Sequence, residues 1–240
     1  MISVNGVTKA FITGSSEVRA VDNVDLDVQP GEFILILGRS GSGKSTLLGM
    51  LAGLIRPTAG TIRIKGVDIS TLTDNQIAEL RAQEIGFVFQ FSGLIPTVTA
   101  LENVMIPTLF HPGGPGNRTK ALELLDQVGV AGRADAYPKT LSSGEMKRVA
   151  IARALINKPS ILIADEPTGD LDDATESEIM ALFRQLNDEG ITIIMVTHNP
   201  DLIPCATRTY SMSHGRMARN PDSPLCRRVP ETRYVNKDHP

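Results

Sequence analysis

Val24, Leu26 and Val28 alternate with Asp25 and Asp27, and Ile62 and Ile64 flank Arg63. A two-residue period belongs to strands with one wet face, so these segments predict an antiparallel layer. Phe33-Ile34-Leu35-Ile36-Leu37, Ile161-Leu162-Ile163-Ala164 and Ile191-Thr192-Ile193-Ile194-Met195-Val196 are instead almost unbroken apolar runs. That pattern predicts parallel strands covered by helices on both faces. Spacings of three and four in Ile179, Leu182, Phe183 and Leu186 predict a helix ending at Gly190. A second helix carries Met146, Val149, Ile151 and Leu155 and ends before Pro159.

From Phe91 to Asn157 there is no convincing strand beyond the edge, but there are helical segments near Leu101 to Val104 and Thr119 to Val128. The pattern predicts a helical subdomain, about residues 91–157, inserted into the sheet domain. Between its helices, His111-Pro112-Gly113-Gly114-Pro115-Gly116 is turn chemistry and predicts a mobile surface loop. After Met217 the chain turns polar and proline-rich, so residues 1–217 read as the domain and residues 218–240 as a tail. No internal repeat is present.

Charge and cysteine content remove several classes. With 240 residues and a net charge of −3, the chain lacks the basic surface of a general nucleic-acid binder. Its two cysteines, Cys205 and Cys226, form no CxxC or Cys/His cluster, and no charged-then-apolar leader opens the chain, which predicts a reducing cytosol. The apolar runs fall far short of the ~20 residues that a membrane-spanning helix requires.

Gly38-Arg39-Ser40-Gly41-Ser42-Gly43-Lys44-Ser45 matches GxxxxGK[ST], between an apolar strand and a leucine-rich helix. Composition alone would produce this match in roughly one chain in a hundred of this length. Gly38, Gly41 and Gly43 let backbone amides turn toward phosphates, with Ser40, Ser42 and Thr46 in the same cradle. The helix N-terminus adds partial positive charge, and Lys44 places a cation by the β- and γ-phosphates. Ser45 supplies a hydroxyl to magnesium. The apolar strand at Ile161 ends in Asp165-Glu166. This acidic pair reads as an ordinary strand-to-loop boundary or, after a P-loop, as a magnesium site at Asp165 beside a base or water-orienting group at Glu166.

Those two elements are shared by kinases, GTPases, helicases and transport ATPases. With Leu141-Ser142-Ser143-Gly144-Glu145 at the position of the LSGGQ signature, the chain closely resembles the ABC ATPase family from about Met1 to Arg216. The resemblance implies an α/β fold: a P-loop NTPase (RecA-like) core with an antiparallel β subdomain and an inserted α-helical subdomain. It also implies that Gln90 is the Q-loop glutamine, acting on magnesium and the reacting phosphate. Gly169-Asp170-Leu171-Asp172 becomes the D-loop, His198 the switch histidine and Phe11 the aromatic that stacks on adenine. Without that frame His198 reads as a hydrogen-bonded structural residue, Gln90 as a polar strand end and Phe11 as packing. Ser142 followed by Glu145 is independently a capping box. In this family such a helix start also meets the γ-phosphate bound by a second subunit, through Ser142 and Gly144. Ser143 and Glu145 depart from the usual glycine and glutamine.

The resemblance implies ATP and Mg2+ as ligands and a homodimer closing around ATP. Ile85-Gly86-Phe87-Val88-Phe89-Gln90-Phe91, Leu94-Ile95-Pro96 and Ala100-Leu101-Glu102-Asn103-Val104 are most similar to the lipoprotein-release and macrolide-efflux branch. Asp165-Glu166-Pro167-Thr168-Gly169-Asp170-Leu171-Asp172 agrees with that branch. Its ATPases serve separate integral-membrane permeases with large extracytoplasmic domains, which implies a peripheral position on the cytoplasmic face of the membrane. Cargo is not legible. The competing class is a soluble ABC ATPase of DNA repair or translation, which typically has a coiled-coil insertion or two linked nucleotide domains. A P-loop kinase would leave Gln90, Leu141 to Glu145 and His198 unexplained together. Finally, Phe91, Leu94, Ile95 and Val98 cluster after Gln90 and predict either helical-subdomain packing or part of a groove for a permease helix.

Overall fold

The computed structural model describes residues 1–14, 16–110 and 118–220. The glycine-rich loop expected at His111 to Gly116 lies outside the described residues, as does the tail from residue 221. The elements run β1 (Ile2–Thr13), β2 (Ser16–Val28), β3 (Phe33–Leu37), α1 (Lys44–Leu51), β4 (Ala59–Ile64), β5 (Val67–Asp68), α2 (Asp74–Glu84) and β6 (Ile85–Val88). They continue with α3 (Ala100–Met105), α4 (Arg118–Gln127), α5 (Ser143–Leu155), β7 (Ile161–Asp165), α6 (Asp173–Asp188), β8 (Thr192–Thr197), β9 (Arg208–Ser213) and β10 (Arg216–Arg219).

The alternating segments do form an antiparallel sheet, in the order β2-β1-β4-β5. Ile2 lies opposite both Val28 and Ile64, and Val4 opposite both Leu26 and Ile62, which collects the apolar positions on one face. The apolar runs form the centre of the second sheet, β10-β9-β3-β8-β7-β6, in which every pairing except β10 with β9 is parallel.

Alternate residues of these central strands enter different cores. Phe33, Leu35, Leu162, Ala164, Ile193 and Met195 pack with residues of α3, α4, α5 and α6. Ile34, Ile36, Ile163, Ile194 and Val196 pack with α1 and the antiparallel sheet. Strands buried on both faces need apolar side chains at every position, which explains why these runs do not alternate with polar residues. Between β6 and β7 the described residues contain helices and 3-10 turns but no strand.

At the C-terminal end, β10 pairs Ala218 with Ser211 and Arg219 with Tyr210. The expected boundary at residue 217 is therefore corrected by two residues, because ladder pairing overrides the polar composition of that segment. Asn220 is also held, its backbone N–H donating to the Thr209 carbonyl at 3.0 Å.

Candidate active site

The carboxyl ends of β3, β7 and β8 meet around a cavity of about 550 Å³. Its lining includes Arg39, Ser40, Gly41, Ser42, Gly43, Lys44, Ser45 and Thr46 from one loop and helix start, with Ala20, Gln90, Glu166 and His198 from elsewhere. The chain reverses from β3 into α1 through Gly41 at φ +76° and Gly43 at φ +107°. A Cβ on Gly43 would fall 2.1 Å from the Ala20 carbonyl oxygen, and one on Gly38 2.6 Å from that of Met212. Only glycine fits either place. Gly43 caps α1 without a side-chain hydrogen bond, leaving the helix-start amides to an anion.

Lys44 is buried, and its Nζ donates to the Gly38 carbonyl at 2.6 Å and the Arg39 carbonyl at 3.1 Å. It also lies 3.4 Å from Glu166 Oε1. Glu166, itself buried, has φ +45°, a left-handed backbone that costs a non-glycine residue about 1–3 kcal/mol and is concentrated at functional sites. Its N–H donates to the Val196 carbonyl at 3.0 Å. The other carboxylate oxygen, Oε2, accepts from the His198 backbone N–H at 3.2 Å and lies 2.8 Å from its Nδ1. The His198 side chain is 64% exposed, so one ring edge holds Glu166 while the remainder stays open to a ligand.

Asp165 Oδ1 is buried without a hydrogen-bond partner. Burial pushes the Asp165 carboxyl above its usual range; a hydrogen bond with Ser45 opposes that shift, the Glu166 charge adds to it, and Lys44 and Lys147 oppose it. An orphaned carboxylate oxygen beside a serine hydroxyl is chemistry suited to a hard divalent cation. Among the described residues no group of three His, Cys, Asp or Glu side chains could hold a metal.

Gln90 brings its exposed side chain to the cavity while its carbonyl accepts from Lys147 Nζ. Lys147 itself is buried, and burial lowers its amine pKa against the opposing charges of Asp170 and Asp165. Sequence reasoning missed Lys147, although its place four residues before Ile151 on the apolar face of α5 was a usable signal. Ala20 and Met212 were missed as well, because their roles around Gly43 are contacts between distant segments.

Five predicted residues are not among those lining the cavity: Gly38 and Asp165, which are hydrogen-bonded to its Lys44 and Ser45, and Ser142, Gly144 and Phe11. Ser142 and Gly144 are at the start of α5, where Ser142 and Glu145 form the predicted capping box. Glu145 is held below the usual carboxylate range first by the Ser142 backbone N–H and then by Arg133, whose Nε is 2.8 Å away. Phe11, on β1, is not among the lining residues; its ring is partly exposed with Lys9 Nζ 5.1 Å from the centroid.

Comparison with known proteins adds an independent line. The family profile described as ABC transporter matches residues 21–169. The chain is 45% identical over 224 residues to the macrolide export ATP-binding/permease protein MacB of Rhodopirellula baltica, covering 92% of this chain but 33% of that protein. The chain thus spans about a third of that relative's length. It is 42% identical over 227 residues to the lipoprotein-releasing system ATP-binding protein LolD 1 of Caulobacter vibrioides, covering 93% and 97% of the two chains. A dimeric structure of the ATP-binding cassette MJ0796, in a post-hydrolysis state bound to ADP and Pi, superposes with a TM-score of 0.85 at 38% identity. That match covers 91% of this chain and 98% of the other.

Proposed function

Because the chain belongs to the ABC transporter family, we propose that it binds and hydrolyses ATP to energise a separate permease, two copies closing around two ATP molecules. The observation that carries this reading is the convergence of Lys44, Glu166 and His198 on the P-loop cavity, beside the unpartnered Asp165 oxygen. Similarity to an exporter and to a lipoprotein-release subunit favours transport over DNA repair or translation.

In this reading the P-loop amides and Lys44 hold the triphosphate, and Glu166 orients a water in line with the γ-phosphorus. The water oxygen bonds to that phosphorus, the bond to the β–γ bridging oxygen breaks, and ADP departs. Glu166 takes the water proton. His198 fixes the carboxylate from one side and Lys44 from the other, so positioning and charge supply the catalysis. Ser45, Asp165 and Gln90 would hold magnesium, whose charge offsets that of the phosphates. Phosphate release by the purified chain should therefore require ATP and magnesium together. Turnover that persists under complete chelation would contradict the site.

Ser142 and Gly144 do not line the cavity of their own chain. We assign them to the second copy's nucleotide, where the α5 N-terminus would meet the γ-phosphate. Phe11 we assign to adenine: Phe11→Ala should weaken ATP binding by about 1–3 kcal/mol, the range for base stacking on aromatics. Equal affinity in a direct titration would return Phe11 to packing.

We infer a permease contact close to the cluster that the sequence suggested, of which Phe91 is 75% and Ile95 43% exposed. Leu94 packs against the helical core, and the Ile95 backbone is pinned by Asn103, with Ile95 N–H donating to Asn103 Oδ1 at 2.7 Å. The apolar groove, about 640 Å³, is lined instead by Leu54, Phe87, Phe89, Leu109 and Phe110 among others. Leu109 is 67% and Phe110 75% exposed. Phe89 lines this groove and the next residue, Gln90, lines the ATP cavity, so one short segment reaches both.

We place a cytoplasmic permease helix there, with the permease carrying a large extracytoplasmic domain and holding this chain on the cytoplasmic membrane face. No helix among the described residues is long and apolar enough to cross a membrane. Phe110→Asp should leave folding and ATP binding intact, since exposed positions usually shift stability by only about 0.5 kcal/mol, while abolishing membrane co-purification with the permease. Normal co-purification by both Phe110→Asp and Leu109→Asp would exclude the groove.

A further inference from the structure

The first turn of α6 carries a carboxylate that the hydrolytic reading does not use. Glu176 Oε2 accepts from the hydroxyl of Thr168 at 2.7 Å, and its Oε1 accepts from Asn199 Nδ2 at 2.9 Å. Thr168 is two residues after Glu166, and Asn199 is the residue after His198. Both partners are fixed in turn. Thr168 is buried and its carbonyl accepts the Leu171 N–H at 3.1 Å. The Asn199 backbone N–H donates to Thr197 Oγ1 at 3.0 Å, and its Oδ1 accepts from the Asp201 N–H at 3.0 Å. That last bond sets the amide orientation, so Nδ2 is the atom facing Glu176.

The two loops joined this way are those that bring Glu166 and His198 together. Their mutual contact is one carboxylate oxygen, Glu166 Oε2, shared by the His198 N–H and Nδ1. His198 follows a strand that ends at Thr197 and its side chain is mostly exposed, so packing alone does little to hold it. One residue before Glu176, Thr175 packs against the signature turn: a Cβ on Gly144 would fall 2.7 Å from Thr175 Cγ2.

We propose that Glu176 is a positioning residue, a hydrogen-bonded bridge from the helix to both loops that holds Glu166 and His198 in reactive register. The proposal rests on the assignment of Glu166 and His198 to hydrolysis. It concerns hydrogen bonding rather than charge. Gln can replace both bonds, with its oxygen accepting from Asn199 and its amide donating to the Thr168 hydroxyl. Ala replaces neither.

The experiment compares the full-length parent with Glu176→Ala, Glu176→Gln and Glu166→Gln in steady-state ATP hydrolysis, with thermal melting of each. Glu176→Ala is expected to lower kcat about tenfold or more, since small displacements of reacting groups cost up to ~100-fold, with KM for ATP and the melting temperature near parent values. Glu176→Gln is expected to restore kcat to within about twofold. Parent-like kcat in Glu176→Ala, with Glu166→Gln inactive, would overturn this inference and leave the catalytic assignment standing. A loss of kcat matched by lost ATP affinity and a lower melting temperature would make Glu176 merely structural and overturn it too. Parent-like turnover by Glu166→Gln would overturn both readings.

Discussion

Glu166→Gln is expected to bind ATP as the parent does while losing turnover by at least ~100-fold, the scale for a positioned base. The substitution preserves volume, so the φ +45° backbone and the N–H bond to Val196 have no steric reason to change. The amide oxygen can still accept from the His198 N–H, now 3.2 Å from Oε2. What disappears is the charge opposite Lys44 and the ability to take a proton from water. Quenched-flow measurement of phosphate release, with an equilibrium ATP titration, separates the two effects. Parent-like release would remove Glu166 from the chemistry, and lost ATP binding would make it a structural partner of Lys44.

Lys44→Ala should lose both functions that Glu166→Gln divides. Its side chain is largely buried, with the ammonium 2.6 Å from the Gly38 carbonyl and 3.4 Å from Glu166 Oε1. Arg39 also lines the cavity, but its side chain is exposed and does not replace a buried charge at the position of Lys44. Removing a preorganised charge from a transition-state site costs about 100–1000-fold in turnover, and here the same charge also holds the ground-state phosphates. Binding should therefore weaken in parallel. Because alanine leaves two carbonyls without their donor, Lys44→Met, which keeps the buried stem, should be measured beside it. Undiminished magnesium-dependent hydrolysis by either variant would remove the P-loop assignment.

How far these residues could be read in advance depended on the range of the forces involved. The turn from Gly38 to Ser45 is legible because its conformation is local: Gly41 and Gly43 need positive φ, and the motif records that need. The Ser142–Glu145 box is legible for the same reason, since its bonds span three residues. By contrast, the 2.8 Å contact of His198 with Glu166 joins positions 32 apart, and only the family frame suggested it. Helix α2 has a single buried side chain, Ile77, so it showed no apolar period, although the Thr73 and Gln76 capping box marked its start. In β9 the burial of Thr209, Tyr210 and Met212 is broken by the exposed Ser211, a pattern too short to identify a sheet strand. The apolar groove draws Leu54, Phe87 and Phe110 from three separated segments, and no local pattern announces such a surface.

Ser142 and Gly144 do not line the cavity of their own chain, so the proposed nucleotide site needs two copies. Its most direct test is the mass in solution of Glu166→Gln, measured by light scattering with ATP and magnesium and again with ADP. A dimer is expected with ATP, whose γ-phosphate would join the two surfaces and is not cleaved in this variant, and a monomer with ADP. A variant that binds ATP yet remains monomeric at every protein concentration would contradict it.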